Sequence, residues 1–191
     1  MLILPRSCFI HVPKTGGSWV KRAILASGLV ARAYELDGDP HIGIAQCPCP
    51  EKFRFAFVRH PLDLYRSYWQ YKMTCGWDVK NPLDMACRSL VFHGFVGNVL
   101  DRFPGVYSQA LVDFVGEAEH PIEFIGRFEN LEDDLVTALT LAGESFDEDA
   151  IRAESPYNVS DKRKHPAEYT DQLEAMVREA EAYAMNRFNY R

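Results

Sequence analysis

The chain has 191 residues, is 47% hydrophobic and 25% charged, and carries a formal net charge of −6. That length and composition suit one soluble globular domain spanning residues 1–191 with a real core, and the acidic balance argues against a general nucleic-acid or anionic-membrane binder. An anion site needs only local positive charge, and the basic residues do gather locally, at Lys14, Lys21 and Arg22, at Arg54, Arg59 and Arg66, and at Lys162, Arg163 and Lys164.

The opening "MLILPRSCFIHV" is apolar but broken by Pro5 and Arg6, without a basic n-region or a small-residue cleavage site, so no signal peptide is expected. No segment approaches the ~18 apolar residues of a membrane span. The five cysteines, Cys8, Cys47, Cys49, Cys75 and Cys87, have no scaffold spacing and read as cytoplasmic thiols. Cys47-Pro-Cys49 hints at metal, but no second Cys/His pair stands at zinc-finger spacing.

Residues 6–12 are β-rich and suit a buried parallel strand. A helix is expected from Ser18 to Ser27, with Trp19, Val20, Ala23, Ile24 and Leu25 on its apolar side and Gly28 as its stop. Residues 31–36 allow a short strand, and DGDP (37–40) and CPCP (47–50) carry turn chemistry. In "KFRFAFV" (52–58) Phe53, Phe55 and Phe57 share one face of a strand by period 2. Pro61 then opens a helix over about 62–73. Further helices are predicted over 82–93 and 107–118, with a loop from Gly94 to Pro104 between them. "IEFIGRF" (122–128) predicts a third strand leading to a helix over 130–142, and 166–187 predicts one long amphipathic helix through Tyr169, Leu173, Met176, Val177, Ala180, Tyr183 and Ala184. Strands alternating with helices imply an α/β fold with a parallel sheet in three layers.

Two stretches carry chemistry. In "IHVPKTGGSWVKRAI" (10–24) a strand meets a glycine turn that feeds a helix, which aims backbone N–H groups and the helix dipole at one point. Gly16 and Gly17 permit positive φ and close approach, Thr15 and Ser18 add hydroxyls, and Lys14 adds a charge. The order is not that of the P-loop pattern G-x-x-x-x-G-K-[ST], because Lys14 precedes the glycines. In "FAFVRHPLDLYRSYW" (55–69) Arg59 ends a strand, where ligands bind in open α/β sheets, and Ser67 follows in the next helix.

Together PKTGGS(W) and FxFVRxPxDxxxSxW resemble the sulfotransferase superfamily, in particular its carbohydrate and related bacterial branch. The resemblance implies a three-layer α/β/α fold with a central parallel sheet, related to the P-loop NTPases, and a donor, 3′-phosphoadenosine 5′-phosphosulfate (PAPS), that leaves as PAP. It implies that Pro13, Lys14, Thr15, Gly16, Gly17, Ser18 and Trp19 hold the 5′-phosphosulfate, and that Arg59 and Ser67 hold the 3′-phosphate. It extends weakly to "IGRFENLEDDL" (125–135) and to a tail of Asn158, Ser160, Tyr169, Leu173, Phe188 and Tyr190. A late basic loop closes over the 3′-phosphate in the family, which points here to Arg163 or Lys164, although the glycine expected there is absent from SDKRKHP (160–166). No metal is expected in the reaction, and the acceptor would be a hydroxyl, a carbohydrate first among glycans, lipid-linked sugars, phenols and peptides.

Catalysis needs Lys14 at the leaving phosphate and a base for the acceptor proton. His41 lies upstream of the second anion strand, where cytosolic small-molecule sulfotransferases carry their base histidine, and the first helix, SWVKRAILASG, has no acid to replace it. His11 adjoins the loop but reads as a buried strand residue, and His60 as a surface or supporting one. Trp69, Tyr71 and Trp77 are candidates for an acceptor-stacking platform, or for core. The rival functions are a P-loop-related nucleotide kinase, which would want a lysine after the glycines, and a non-catalytic nucleotide-binding protein of the same fold. The oligomeric state is open.

Overall fold

The computed structural model describes residues 1–119, 122–157 and 164–191. In chain order these form β1 (Leu2–Ile3), β2 (Ser7–Ile10), α1 (Gly17–Ala26), β3 (Arg32–Ala33), β4 (Phe53–Val58), α2 (Pro61–Cys75), α3 (Pro82–Cys87), α4 (Phe92–Arg102), α5 (Val106–Val115), β5 (Phe124–Arg127), α6 (Leu131–Leu141), α7 (Glu148–Arg152), α8 (Asp171–Ala180) and α9 (Ala182–Arg187). Short 3-10 turns occupy Ile44–Gln46 and Phe128–Asn130. The chain is α/β, and it divides into two compact units, Met1–Arg59 with Leu111–Asn158 and His60–Ala110 with Val159–Arg191.

The first unit holds the sheet, of strand order β3-β1-β2-β4-β5. The three strands expected from sequence pair in parallel, Phe9 opposite Phe55 and Phe55 opposite Phe124. The sheet as a whole is mixed, because β1 runs antiparallel to both β2 and β3. Pro5 and Arg6 cause this: they turn the chain back so that the Leu4 amide donates to Ser7 O at 2.8 Å. A two-residue strand ahead of a proline is too short to show a period, so β1 had no signature.

β4 lies between β2 and β5 and is buried on both faces, as a central parallel strand should be. On one face Phe9, Phe55 and Phe57 form a ring cluster, with Phe9 and Phe55 stacked at 5.5 Å and Phe55 and Phe57 edge to face at 6.2 Å. Val20, Ala23 and Ile24 of α1, Leu135, Ala138 and Leu139 of α6 and Ile151 of α7 pack around these rings. Each such large side chain contributes about 1.5–3 kcal/mol on burial. On the other face Cys8, Ile10, Ala56 and Val58 are buried as well. Arg54 and Glu123 tie β4 to the approach of β5 by a two-pronged ion pair of 2.7 and 2.9 Å, which pins the register.

The second unit is helical. His60 caps α2 by accepting from the Leu62 amide at 3.2 Å, and its other ring nitrogen stands 3.2 Å from Arg191 O, so Nε2 carries the proton. The helix expected over 82–93 is two helices, α3 and α4, separated by extended backbone at Arg88 and Val91. The loop expected from Gly94 is helical instead: the Ser89 hydroxyl lies 2.6 Å from where a Gly94 Cβ would stand, so glycine here admits a packed side chain and does not mark a turn. The single C-terminal helix expected over 166–187 is broken into α8 and α9 at Glu181. Glu181 is fully buried and accepts from the Ser108 amide (2.8 Å), the Ser108 hydroxyl (2.7 Å), the Tyr107 amide (3.2 Å) and the Tyr65 hydroxyl (2.7 Å). The carboxylate therefore caps the first turn of α5.

Candidate functional site

Because β2, β4 and β5 are parallel, the segments that follow them emerge at one edge of the sheet. Those segments are the loop 11–16, Arg59 and Phe128, and that edge is where open α/β sheets bind ligands.

The loop holds two residues in the left-handed backbone region. Lys14 has φ 65°, unusual for a side-chain-bearing residue, and Gly16 has φ 85°. Gly16, and not the serine expected to begin the helix, is the N-cap of α1, and no side chain caps it. Its carbonyl accepts the Trp19 and Val20 amides at 2.9 and 3.1 Å. No acceptor among the described residues takes the amides of Thr15, Gly16, Gly17 or Ser18. These donors, at the positive end of a ten-residue helix, are what an anion would bind.

Glycine is required twice. A Cβ at Gly16 would stand 2.6 Å from Leu131 Cδ2 and 3.0 Å from Phe128, and one at Gly17 would stand 2.0 Å from the His11 ring. The Thr15 hydroxyl, expected to face the anion, is fully buried and donates to Val12 O at 2.8 Å. Thr15 closes the loop on itself, and Ser18 is exposed. Pro13 is half-buried at the loop's entry. Both of Trp19's donors are used within the chain, its amide on Gly16 O and its indole on Glu154 O at 3.2 Å, and the ring is in the core.

Arg59 reaches this loop. Its Nη1 donates to Lys14 O at 3.2 Å, and its guanidinium lies 4.0 Å over the Phe128 ring, the ring that also walls Gly16. Lys14 and Arg59, chosen from two separate motifs, are thus neighbours. The other arginines of that basic group are committed elsewhere, Arg54 to Glu123 and Arg66 to Asp63 at 2.8 Å. Phe128 was not foreseen, and "GRFE" offers no periodic signal that would have singled it out.

His41 follows a tight turn closed by Leu36 and Asp39, with Asp37 and Gly38 at positive φ. Its amide donates to Asp39 Oδ1 at 2.8 Å and its Nδ1 stands 3.2 Å from the same oxygen. A carboxylate there favours the Nδ1–H tautomer and leaves Nε2 as the proton acceptor. The His11 ring lies 4.7 Å from that of His41 and stacks on Phe9 at 5.8 Å. Burial first, then His41, the N-terminal ammonium and Lys21, push the His11 imidazole down to about 3, so it is neutral. A histidine held neutral by the fold adds stability at neutral pH that is lost as pH falls from its ordinary value of about 6.5 toward the folded value. His11→Phe is expected to flatten the acid limb of a melting-temperature profile between about pH 6 and 4, and an unchanged limb would count against a neutral His11.

Ser67 and Lys164 belong to the second unit. Ser67 is on the buried side of α2, and no described residue exchanges a hydrogen bond with its hydroxyl. Lys164 is exposed. Arg163, with Asn158 and Ser160, lies outside the described residues. The aromatic platform is not assembled: Trp69 is 4% exposed in the core with its indole donating to Ser89 O at 3.0 Å, Tyr71 lies on the surface by Lys72, and Trp77 leans on Phe95 at 5.8 Å. Of the three, Trp69 alone is core. All five cysteines are free, and burial, with Cys47 and Cys49 nearby, pushes the Cys8 thiol up to about 12. Among the described residues no His, Cys, Asp or Glu group is arranged to hold a metal, and no helix is long and apolar enough to cross a membrane.

Comparison with protein-family models, with curated proteins and with solved structures finds no match for this chain.

Proposed function

We propose that the chain is a PAPS-dependent sulfotransferase, a single domain of the three-layer, P-loop-related kind. It would transfer the sulfuryl group to a hydroxyl acceptor, a carbohydrate in the first instance, and release PAP. The observation that carries this reading is the meeting of Lys14, Arg59 and the unclaimed amides of residues 15–18 at the C-terminal end of three parallel strands. With its lysine ahead of the glycines, this loop is not arranged as a kinase P-loop.

In this reading the cradle amides and Lys14 hold the phosphosulfate, with Lys14 set to neutralise charge on the bridging oxygen as the S–O bond breaks. The acceptor oxygen forms the new bond to sulfur, and its proton passes to Nε2 of His41, whose other nitrogen faces Asp39. Arg59 would hold the 3′-phosphate. Transfer of this type is mostly positioning and charge stabilisation, as in phosphoryl transfer, and no step calls on a metal.

The test is donor selectivity in binding. At a ligand concentration about 100 times its dissociation constant, PAP should stabilise the fold by about 2.7 kcal/mol. That corresponds to a rise of about 5–10 °C in melting temperature for a chain of this size. ATP with or without Mg²⁺ should give less than half of it. Equal shifts from PAP and ATP would overturn the donor assignment.

A further inference from the structure

The geometry points to His11 as a positioning residue, a wedge that sets the distance between the first helical residue of the cradle and the His41 base. The inference rests on the sulfotransfer reading and deepens it, since His11 would act through His41 and touch no reacting atom.

Three contacts define the wedge. The ring stacks on Phe9 of the strand from which it emerges, at 5.8 Å and 26°. It fills the space beside Gly17, where an added Cβ would stand 2.0 Å from Cδ2 and 2.1 Å from Nε2. Its remaining side meets the His41 ring at 4.7 Å. Among the described residues none makes a hydrogen bond to either ring nitrogen, and these three ring contacts hold the imidazole. One flat ring therefore touches both the residue at the cradle's helix start and the candidate base, which come from segments 24 residues apart in sequence.

The spacing has a chemical consequence. Lys14 and the cradle amides would fix the sulfur, and the base must meet the acceptor proton from the opposite side of the attacking oxygen. An error of about 1 Å in that arrangement can cost about 100-fold in rate. Removing the ring would let His41 relax toward Gly17 and loosen its contact with Asp39. The charged or titratable groups facing His11 are His41, Lys21 and the N-terminal ammonium, and a neutral ring avoids adding a cation beside them.

The experiment compares wild type with His11→Ala, His11→Phe and His41→Ala. The readouts are kcat, KM for PAPS, PAP affinity by calorimetry, and the His41 tautomer from ¹⁵N shifts of its ring. His11→Ala is expected to lower kcat by about 10–100-fold while KM and PAP affinity stay within about threefold. His11→Phe, which keeps a flat ring, should recover most of kcat. The His41 ring should show one Nδ1–H tautomer in wild type and His11→Phe and a mixture in His11→Ala. An unchanged kcat in His11→Ala, a fall shared equally by kcat and PAP affinity, a Phe variant no better than Ala, or an unchanged tautomer would each overturn the positioning role. Failure of the parent reading looks different: a wild type that transfers no sulfate, or an active His41→Ala, while the tautomer measurement still decides whether His11 positions His41.

Discussion

Replacing Lys14 with alanine is expected to lower sulfate transfer from PAPS by about 100–1,000-fold, the scale seen when one charge-stabilising donor is removed from a reacting centre. The more discriminating variant is Lys14→Gly. Lys14 sits at φ 65°, which costs a side-chain-bearing residue about 1–2 kcal/mol and glycine very little. Lys14→Gly should therefore lose transfer as fully as the alanine variant while matching or exceeding wild type in stability, by up to about 1 kcal/mol in denaturant unfolding. Inactivity with gained stability separates a functional lysine from a structural one. An active Lys14→Gly would remove the lysine from the chemistry. Arg59→Ala should act differently, because its guanidinium binds Lys14 O and covers Phe128. Losing one charge-assisted contact weakens donor binding by about 1.5–3 kcal/mol, or about 10–100-fold in PAP affinity. A PAP affinity unchanged in Arg59→Ala would detach that residue from the donor.

What was legible in the sequence follows a physical pattern. Strands β2, β4 and β5 were readable because a β-rich run meeting Pro13, the alternation of Phe53, Phe55 and Phe57, and the run into Phe128 are local signals. The turn before α1 was readable because Gly16 and Gly17 are needed for backbone reasons that leave a written trace. Features set by distant partners were not. Nothing near position 181 announces that its carboxylate will leave the surface of a helix to cap residues 107 and 108. Nothing near Ser89 says that its hydroxyl will fill the space beside Gly94. Thr15 looked like a ligand donor for the same reason: its hydroxyl is polar and adjacent to the glycines, and only the fold reveals Val12 O beneath it. His11 was passed over because a histidine ending a strand reads as buried filler. It is packed, but what it packs against is Gly17 on one side and His41 on the other.

The second large effect concerns stability. Glu181→Ala would strip the acceptor from the amides of Tyr107 and Ser108 and from the hydroxyls of Ser108 and Tyr65, all of them buried. Burial and then the Glu181 carboxylate hold the Tyr65 phenol well above its ordinary range, so that hydroxyl remains a proton donor at any working pH. Each orphaned buried donor costs about 1–3 kcal/mol, and removing one member of a buried charged network typically costs about 3–5 kcal/mol in all. Set against a total stability of about 5–15 kcal/mol, the alanine variant should melt about 6–20 °C below wild type, with loss of helical signal as α5 frays from its first turn. Glu181→Gln keeps the shape and one good acceptor, and should forfeit no more than about half of that, because of the two donors facing its amide nitrogen one is a hydroxyl that can turn to accept and only the backbone N–H is opposed. The ordering wild type, Gln, Ala is the signature of a cap built from a distant acid. An alanine variant within about 1 kcal/mol of wild type would mean that water satisfies these donors, and that the break between α8 and α9 has another cause.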